Sequence, residues 1–448
     1  MRAEGNTKSS RSFSHAFLGD GDDEQHPALQ FKKRKAAQHG TVSVAGTRSK
    51  RFAPVRGGRP WTVSVAVPGS ILSNLPTAEQ RIATVARLAR SLAIFCVDEV
   101  IVYNDEAPTS AAAAAAGGMG NNLTRFDGAP SGTYTGDSDP CHFVAQLLSF
   151  LECPPFMRRR LFPLHPNLRH TALLPAVDMP HHPHPKAPWV PYVEGVTVEP
   201  AGEGLVEGAA AAAGGGSLVD TGPGGLVRVA DTIPPHTRVT LRLGGPDAAG
   251  DHPVCAHPDA PRAEGGYYWG YAVRRCASLS AVFTECPHGG GYDLSVGTSE
   301  RGAPLSQVMA EHRRQQQEQQ QQRRQQQEQE SRWRRGHRHY RAPDHGYHGH
   351  HGHHGHEDHE EDREAAGGPS SAAPSFRHLL VVFGGPRGIE LAAAHDPKLA
   401  AINIRAARTR ELFDHWVDVL PGQGSRAIAT DEAVPIALMG LRGLWESV

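Results

Sequence analysis

The stretch Leu379-Leu380-Val381-Val382-Phe383 constrains this chain more than any other. Five consecutive apolar residues, three of them β-branched or aromatic, read as a buried strand that needs cover from the rest of the fold. The run ends directly in a glycine loop, Gly384-Gly385-Pro386-Arg387-Gly388-Ile389-Glu390. Upstream, Thr62-Val63-Ser64-Val65-Ala66-Val67 alternates and is β-branched, and Pro68-Gly69 stops it. Thr77-Ala78-Glu79-Gln80 has the form of a capping box opening a helix. Ile82, Val85, Leu88, Ala89 and Leu92 continue one apolar stripe along that helix, and Val100-Ile101-Val102-Tyr103 reads as a second buried strand. Arg81, Arg87 and Arg90 fall off the stripe and read as a solvated face. The β–α–β order predicts an α/β fold with a mostly parallel sheet covered by helices.

The remainder dilutes that pattern. Among 448 residues are 49 glycines and 35 prolines, and several homopolymeric tracts suggest that roughly a third is linker or disordered insertion. Formal net charge is −1, so any basic surface for nucleic acid must be local. Six dispersed cysteines form no C-x-x-C pair, which fits a reducing compartment and argues against a cysteine zinc site. No apolar run reaches the ~20 residues of a membrane-spanning helix, and the charged N-terminus lacks the form of a signal peptide. The clusters Phe31-Lys32-Lys33-Arg34-Lys35 and Arg48-Ser49-Lys50-Arg51 read either as a nuclear-import signal or RNA-grazing arm, or as part of a solvated tail.

Along the chain, residues 107–135 read as a loop insertion, and His142–Leu151 as a helix followed by Arg158-Arg159-Arg160, which suits either phosphate or solvent. The prolines in Met179-Pro180-His181-His182-Pro183-His184-Pro185 predict a loop rather than a metal site. Short β-branched runs at Gly195–Val198, Gly225–Val229, Arg238–Leu243 and Tyr267–Tyr271 predict a small β-barrel of the oligonucleotide-binding type. Tyr267, Tyr268, Trp269 and Tyr271 would either stack on bases or fill the domain junction. The sheet pattern returns at Tyr271–Arg275 and Tyr292–Val296 and ends in Gly297-Thr298-Ser299-Glu300-Arg301-Gly302. Residues 303–375, a Gln/Glu/Arg run and then ten histidines between His337 and His359, predict a disordered insertion. The late apolar run Leu412–Leu420 leads into Pro421-Gly422-Gln423-Gly424-Ser425-Arg426 and a helix for which Thr430 is the expected N-cap. Glycines at 422 and 424 would permit positive φ and close approach of a ligand. Neither glycine loop matches a dinucleotide or nucleoside-triphosphate motif.

The ordered set Val67-Pro68-Gly69-Ser70-Ile71, Ala93–Glu99, Leu151-Glu152-Cys153-Pro154, Gly266–Tyr271, Tyr292–Gly302, Val381–Gly385 and Pro421–Arg426 resembles the SPOUT superfamily of knotted RNA methyltransferases. It resembles in particular the branch whose animal members are also described as centromere- and spindle-associated. The similarity spans about 61–301 and 376–440. It implies an S-adenosyl-L-methionine-dependent RNA methyltransferase acting on ribosomal or another large RNA, with base methylation favoured. The alternative it allows is an inactive scaffold that binds RNA or mitotic proteins. It further implies a homodimer and a trefoil knot in the C-terminal third; a sulfonium donor requires no metal, and the basic clusters favour a nuclear location, with the cytoplasm as the other expectation.

On this resemblance residues 1–58 are a basic tail and 59–190 the first part of the SPOUT domain. Residues 191–268 are an inserted oligonucleotide-binding (OB)-like barrel, 269–302 the second part, 303–375 the insertion and 376–448 the knot. Carried over by position, Arg301, Gly384, Asp418 and Val419 line the methyl-donor pocket, with Gly385, Gln423, Gly424 and Ser425 beside them. A sulfonium donor releases a neutral leaving group, so alignment of the reactants is the main task. Glu300, Arg301 and Glu432 are the candidate catalytic residues, the carboxylates for a departing proton and the arginine for a carboxylate or phosphate. The chain departs from the family at Asp418-Val419, often Asn-Thr, and at Ala429, where the family has an arginine.

Overall fold

The computed structural model describes residues 54–107, 132–184, 188–199, 216–244, 253–338 and 374–445, excepting the side chains of 319 and 334–338. The two basic clusters, most of the 107–135 and 207–216 tracts and nearly all of the histidine tract lie outside these residues.

Six strands form one parallel sheet: β1 (Thr62–Pro68), β2 (Glu99–Tyr103), β8 (Ala272–Cys276), β9 (Leu294–Pro304), β10 (His378–Val382) and β11 (His415–Asp418). Their order is β11-β9-β10-β1-β2-β8, every neighbouring pair parallel. The Leu379–Phe383 run therefore lies in the interior of the sheet, which is why it contains no polar position. Leu379 and Val381 face one core and Leu380 and Val382 the other, as strand alternation requires.

The first core is closed by α1 (Ala78–Ile94), α2 (Pro140–Glu152) and the C-terminal helix α9 (Thr430–Leu441). Helix α5 (Leu279–Thr284), with α7 (Ile389–His395) and α8 (Pro397–Ala401), closes the second. The expected capping box starts α1: Gln80 N–H donates to Thr77 Oγ1 at 3.2 Å, and Thr77 N–H to Gln80 Oε1 at 3.3 Å. The arginines beside its apolar stripe are not simply solvated. Arg81 reaches Asp137 at 2.5 Å, Arg87 Nε reaches Asp431 Oδ2 at 2.8 Å, and Arg90 donates to the Val177 carbonyl at 2.6 Å. Arg87 in particular ties α1 to the first turn of α9.

The insertion folds into a second, antiparallel sheet ordered β5-β4-β3-β6-β7. Its members are β3 (Tyr192–Val198), β4 (Ser217–Asp220), β5 (Leu226–Val229), β6 (Arg238–Arg242) and β7 (Val254–Ala256). Tyr267–Tyr271 is not among them. Gly266 and Gly270 hold φ of +69° and +88°, outside any strand, and break that run into a connector. Its aromatics fill the junction: Trp269 is 9 % exposed and donates from Nε1 to Glu194 Oε1 at 2.7 Å, and Tyr271 donates to the Leu148 carbonyl.

A charged cluster joins the two sheets. Arg238 of β6 contacts Glu152 at the end of α2 (2.6 and 3.0 Å) and Glu194 of β3 (2.8 Å). Burial alone would raise the Glu152 carboxyl, but Arg238 and His181 beside it hold it well below the ordinary carboxylate range. His181 and His182 both turn Nε2 to the Glu152 carbonyl, at 3.1 and 2.6 Å, so this proline-bounded loop serves the junction. Arg158 caps the carbonyls of Leu151 and Cys153 and lies over the Phe150 ring, which removes it from any phosphate-binding trio.

The expected structureless insertion begins instead with α6 (Leu305–Arg338), a 34-residue helix. Glutamine, glutamate and arginine all have good helix propensity. Leu305 and Met309 anchor its first turns in the core, and beyond them the described side chains are almost all exposed.

Arg238→Met leaves Glu194 buried without its cation and Glu152 with His181 alone, and should cost about 3–5 kcal/mol in urea unfolding; adding Glu152→Gln and Glu194→Gln should recover part of it. His182 is driven down to about 4, chiefly by burial. Its folded pKa lies below its unfolded value, so its contribution is complete above ~6.5 and is lost as pH falls towards 4. Melting temperatures should drop over that window, with a shallower slope in His182→Leu.

Candidate active site

Three strands of the parallel sheet end beside one another at its C-terminal edge, where open α/β sheets place ligands. β9 and β11 pair with Val296 opposite His415 and Gly297 opposite Trp416. The register then jumps, so that Ala303 stands opposite Val417 and Pro304 opposite Asp418. Residues 298–302 have no counterpart and are extruded from the sheet, the kind of bulge that re-aims side chains. Gly297 lies against the rings of Trp416 and Phe413. Gly302 lies against the backbone of Val417 and Asp418, where a Cβ would stand 2.6 Å from the Asp418 nitrogen.

Side chains within the bulge bind it to the loop after β10. Thr298 Oγ1 donates to the Val382 carbonyl at 3.1 Å, and Ser299 Oγ to Glu390 Oε1 at 3.1 Å. Arg301 Nη1 stands 3.8 Å from the same Glu390 oxygen. The Arg301 side chain is 72 % exposed, whereas that of Glu390 is 18 % exposed. Glu300 points to solvent.

The β10 loop is held from below and above. Phe383 N–H donates to the Ala66 carbonyl at 2.9 Å, and the buried Tyr103 hydroxyl to the Phe383 carbonyl at 2.7 Å. At Gly384 a Cβ would stand 2.6 Å from Gly388 C and Ile389 N, so the turn closes only on glycine. Gly385 packs inward against Ser70, whose hydroxyl donates to Asp105 Oδ2 at 2.5 Å. The Asp105 carboxyl is raised by burial, while the Ser70 hydrogen bonds oppose the rise.

The end of β11 and the start of α9 complete the edge. Asp418 Oδ1 accepts from Leu420 N–H at 3.1 Å, and Val419 packs on the first core. Thr430 is not the N-cap. Ala429 holds that position, and Glu432 Oε2 accepts the Ala429 N–H at 2.9 Å. Thr430 Oγ1 instead donates to the Gly384 carbonyl at 2.9 Å, joining the last helix to the β10 loop. Glu432 is thereby occupied as a helix-capping carboxylate.

Arg301, Gly384, Asp418 and Val419 thus converge at one edge. The loop 421–428 stands more apart: Gly422 has φ +76°, Gly424 does not need positive φ, and a Cβ at either would meet open space. Ser425 donates to the Ala427 carbonyl, and among the described residues no hydrogen bond joins Gln423, Gly424 or Ser425 to the β10 loop. The sequence marks Thr298 and Ser299 only as hydroxyls of the Gly297–Gly302 stretch and Thr430 only as an N-cap, and it gives Glu390 no role of its own. The one signal for Glu390 was its place just behind the second glycine loop. A cavity of about 540 Å³ lies at the opposite edge, between the two sheets. Its charged groups, including Glu152, Arg238, Glu99 and Arg274, already pair with one another, which makes it a junction space.

Replacing Gly384 with alanine should lower the melting temperature more than Thr430→Val, which forfeits only one hydrogen bond of about 1 kcal/mol. Thermal unfolding of the two variants measures the order.

Residues 62–441 match the family described as "Putative RNA methyltransferase". The chain is 32% identical over 388 residues to the human 28S rRNA (uridine-N(3))-methyltransferase, covering 86% of this chain and 79% of that protein. The Drosophila melanogaster protein of the same name is 33% identical over 385 residues, covering 86% of this chain and 62% of its own. The mouse protein gives 32% over 388 residues, 86% and 77%. Matched along both of its sheet-forming regions, this chain belongs to that SPOUT-type RNA methyltransferase family.

Proposed function

We propose that this chain transfers a methyl group from S-adenosyl-L-methionine to N3 of a uridine in large-subunit ribosomal RNA. The observation that carries the reading is the similarity to uridine-N3 methyltransferases over 86% of the chain. Supporting it is the convergence of Arg301, Gly384, Asp418 and Val419 at one sheet edge. The residues present suit the donor. Tight glycine backbone at Gly384 permits close approach, the exposed Arg301 guanidinium can pair with a carboxylate, and Asp418 offers negative charge to a sulfonium. Gly385, Gln423, Gly424 and Ser425 form the outer part of the proposed donor site. When bound, the donor supplies an electrophilic methyl carbon; the protein aligns the base, excludes water and manages one proton.

The C-terminal third is knotted, with β10 between β9 and β1 and the final helix fastened to Gly384 as supporting features. The five-stranded antiparallel sheet is the OB-like module that meets RNA, a reading supported by its strand number and its antiparallel order β5-β4-β3-β6-β7. The protein acts as a nuclear homodimer, for which the basic clusters at 31–35 and 48–51 supply the import signal.

Calorimetry with S-adenosyl-L-methionine should show saturable binding by the folded wild type. Gly384→Trp should abolish it, while deletion of 317–373, which spares the anchoring turns of α6, should not. Absence of binding at millimolar donor would defeat the donor assignment. In cells lacking the gene, mass spectrometry of large-subunit rRNA should show loss of N3-methyluridine at one position.

A further inference from the structure

A uracil base presents an edge unlike that of cytosine: an N–H donor at N3 flanked by two carbonyl acceptors. Methylation at N3 must remove that proton, and a site selective for uracil needs an acceptor facing N3 with a donor beside it. The bulge of β9 and the start of α7 supply this pair. Glu390 Oε1 is engaged by the Ser299 hydroxyl at 3.1 Å and stands 3.8 Å from Arg301 Nη1. Glu390 Oε2 lies over the α-carbon of Gly388, where a Cβ would be 2.6 Å away, and among the described residues it receives no hydrogen bond. A side chain at 388 would displace the carboxylate, and φ of +78° there also calls for glycine. The carboxylate is thus fixed and mostly buried with one oxygen unused, while the guanidinium beside it reaches into solvent. The other carboxylates at the edge fit less well: Glu300 is exposed, Glu432 caps α9 and Asp418 already accepts from the Leu420 N–H.

We propose that Glu390 accepts the N3 proton of the target uridine and that Arg301 donates to an adjoining carbonyl, so that the pair both selects uracil and activates it. This rests on the uridine reading above. In the step, the N3–H bond breaks and its proton passes to Glu390 Oε2. The electron pair left on the ring spreads over N3 and the two carbonyl oxygens, where Arg301 stabilises it. N3 then bonds to the methyl carbon of the sulfonium donor as the carbon–sulfur bond breaks, and that bonding pair stays on the sulfur, which leaves neutral. Glu390 returns its proton to solvent. Cytosine is rejected because its N3 lone pair would face the Glu390 carboxylate.

The test compares wild type with Glu390→Gln on a large-subunit rRNA fragment and on the same transcript made with 5-fluorouridine, whose N3 is more acidic. Glu390→Gln should lower kcat about 10²–10³-fold at neutral pH, within the range typical of a lost general base. Donor and RNA affinities should stay within about twofold. The loss should shrink at least about tenfold on the fluorinated RNA and as pH is raised, because an imide that ionises readily needs less help. A variant within about threefold of wild type would overturn the proposal. So would an equal loss on both RNAs at every pH, which would leave Glu390 only bracing Arg301. A wild type that methylates no uridine in the fragment would defeat the functional reading itself, and this proposal with it.

Discussion

The register jump between β9 and β11 is the constraint on which the candidate site depends. A parallel pair held in continuous register would keep residues 298–302 within the ladder, their side chains alternating into the two cores. The jump releases them at the C-terminal edge, and the pairing that resumes at Ala303 pins the extruded segment at both ends. Gly297 and Gly302 make this possible, since each stands where a neighbouring ring or backbone leaves no room for a side chain. Because Thr298 fastens the bulge to Val382 and Thr430 fastens α9 to Gly384, contributions from β9, β10 and α9 share one frame. Hydrogen bonds of this sort are individually modest, but they set position, and position is what alkyl transfer asks of a protein.

Much of the parallel sheet was legible because its strands are short runs of β-branched residues bounded by proline or glycine. The first helix was legible from Thr77 and Gln80 and its apolar stripe. The arginines of that helix were misread because their partners are remote: Asp431 is separated from Arg87 by 344 positions. In the insertion, Ser217–Asp220 carries only two apolar residues beside an alanine–glycine tract, too weak a signal for a strand, yet pairing on both sides makes it one. Tyr267–Tyr271 gave the opposite error, since aromatic content favoured a strand while two left-handed glycines forbade it. At the site, glycines marked the approach of backbone, but Glu390 acquires its meaning only beside Ser299, 91 positions earlier. Local patterns expose the scaffold, whereas charge pairs assembled by topology stay hidden.

The two edges of the parallel sheet handle charge differently. At the junction edge, Arg238 lies between two carboxylates and every member of the cluster is committed to its neighbours. Such an arrangement makes a defined orientation of the two sheets more than it makes stability, since buried pairs must first repay desolvation. At the opposite edge, Arg301 stays exposed and its ion pair with Glu390 is long. Loosely satisfied charge is what a site that must exchange partners with a ligand requires.

The crossover from β9 to β10 carries α6 and the histidine-rich tract, yet the strands on either side pair in register from Leu294 to Gly297. Its outgoing end is secured by Leu305 and Met309 in the core and its returning end by Phe376, which is 4 % exposed. With both ends fixed by packing, added length between them costs little, since the entropy of closing a loop grows only logarithmically with its number of residues. The chain can therefore change length or composition there without disturbing the sheet. Variation in this crossover is thereby uncoupled from the pairing that builds the site.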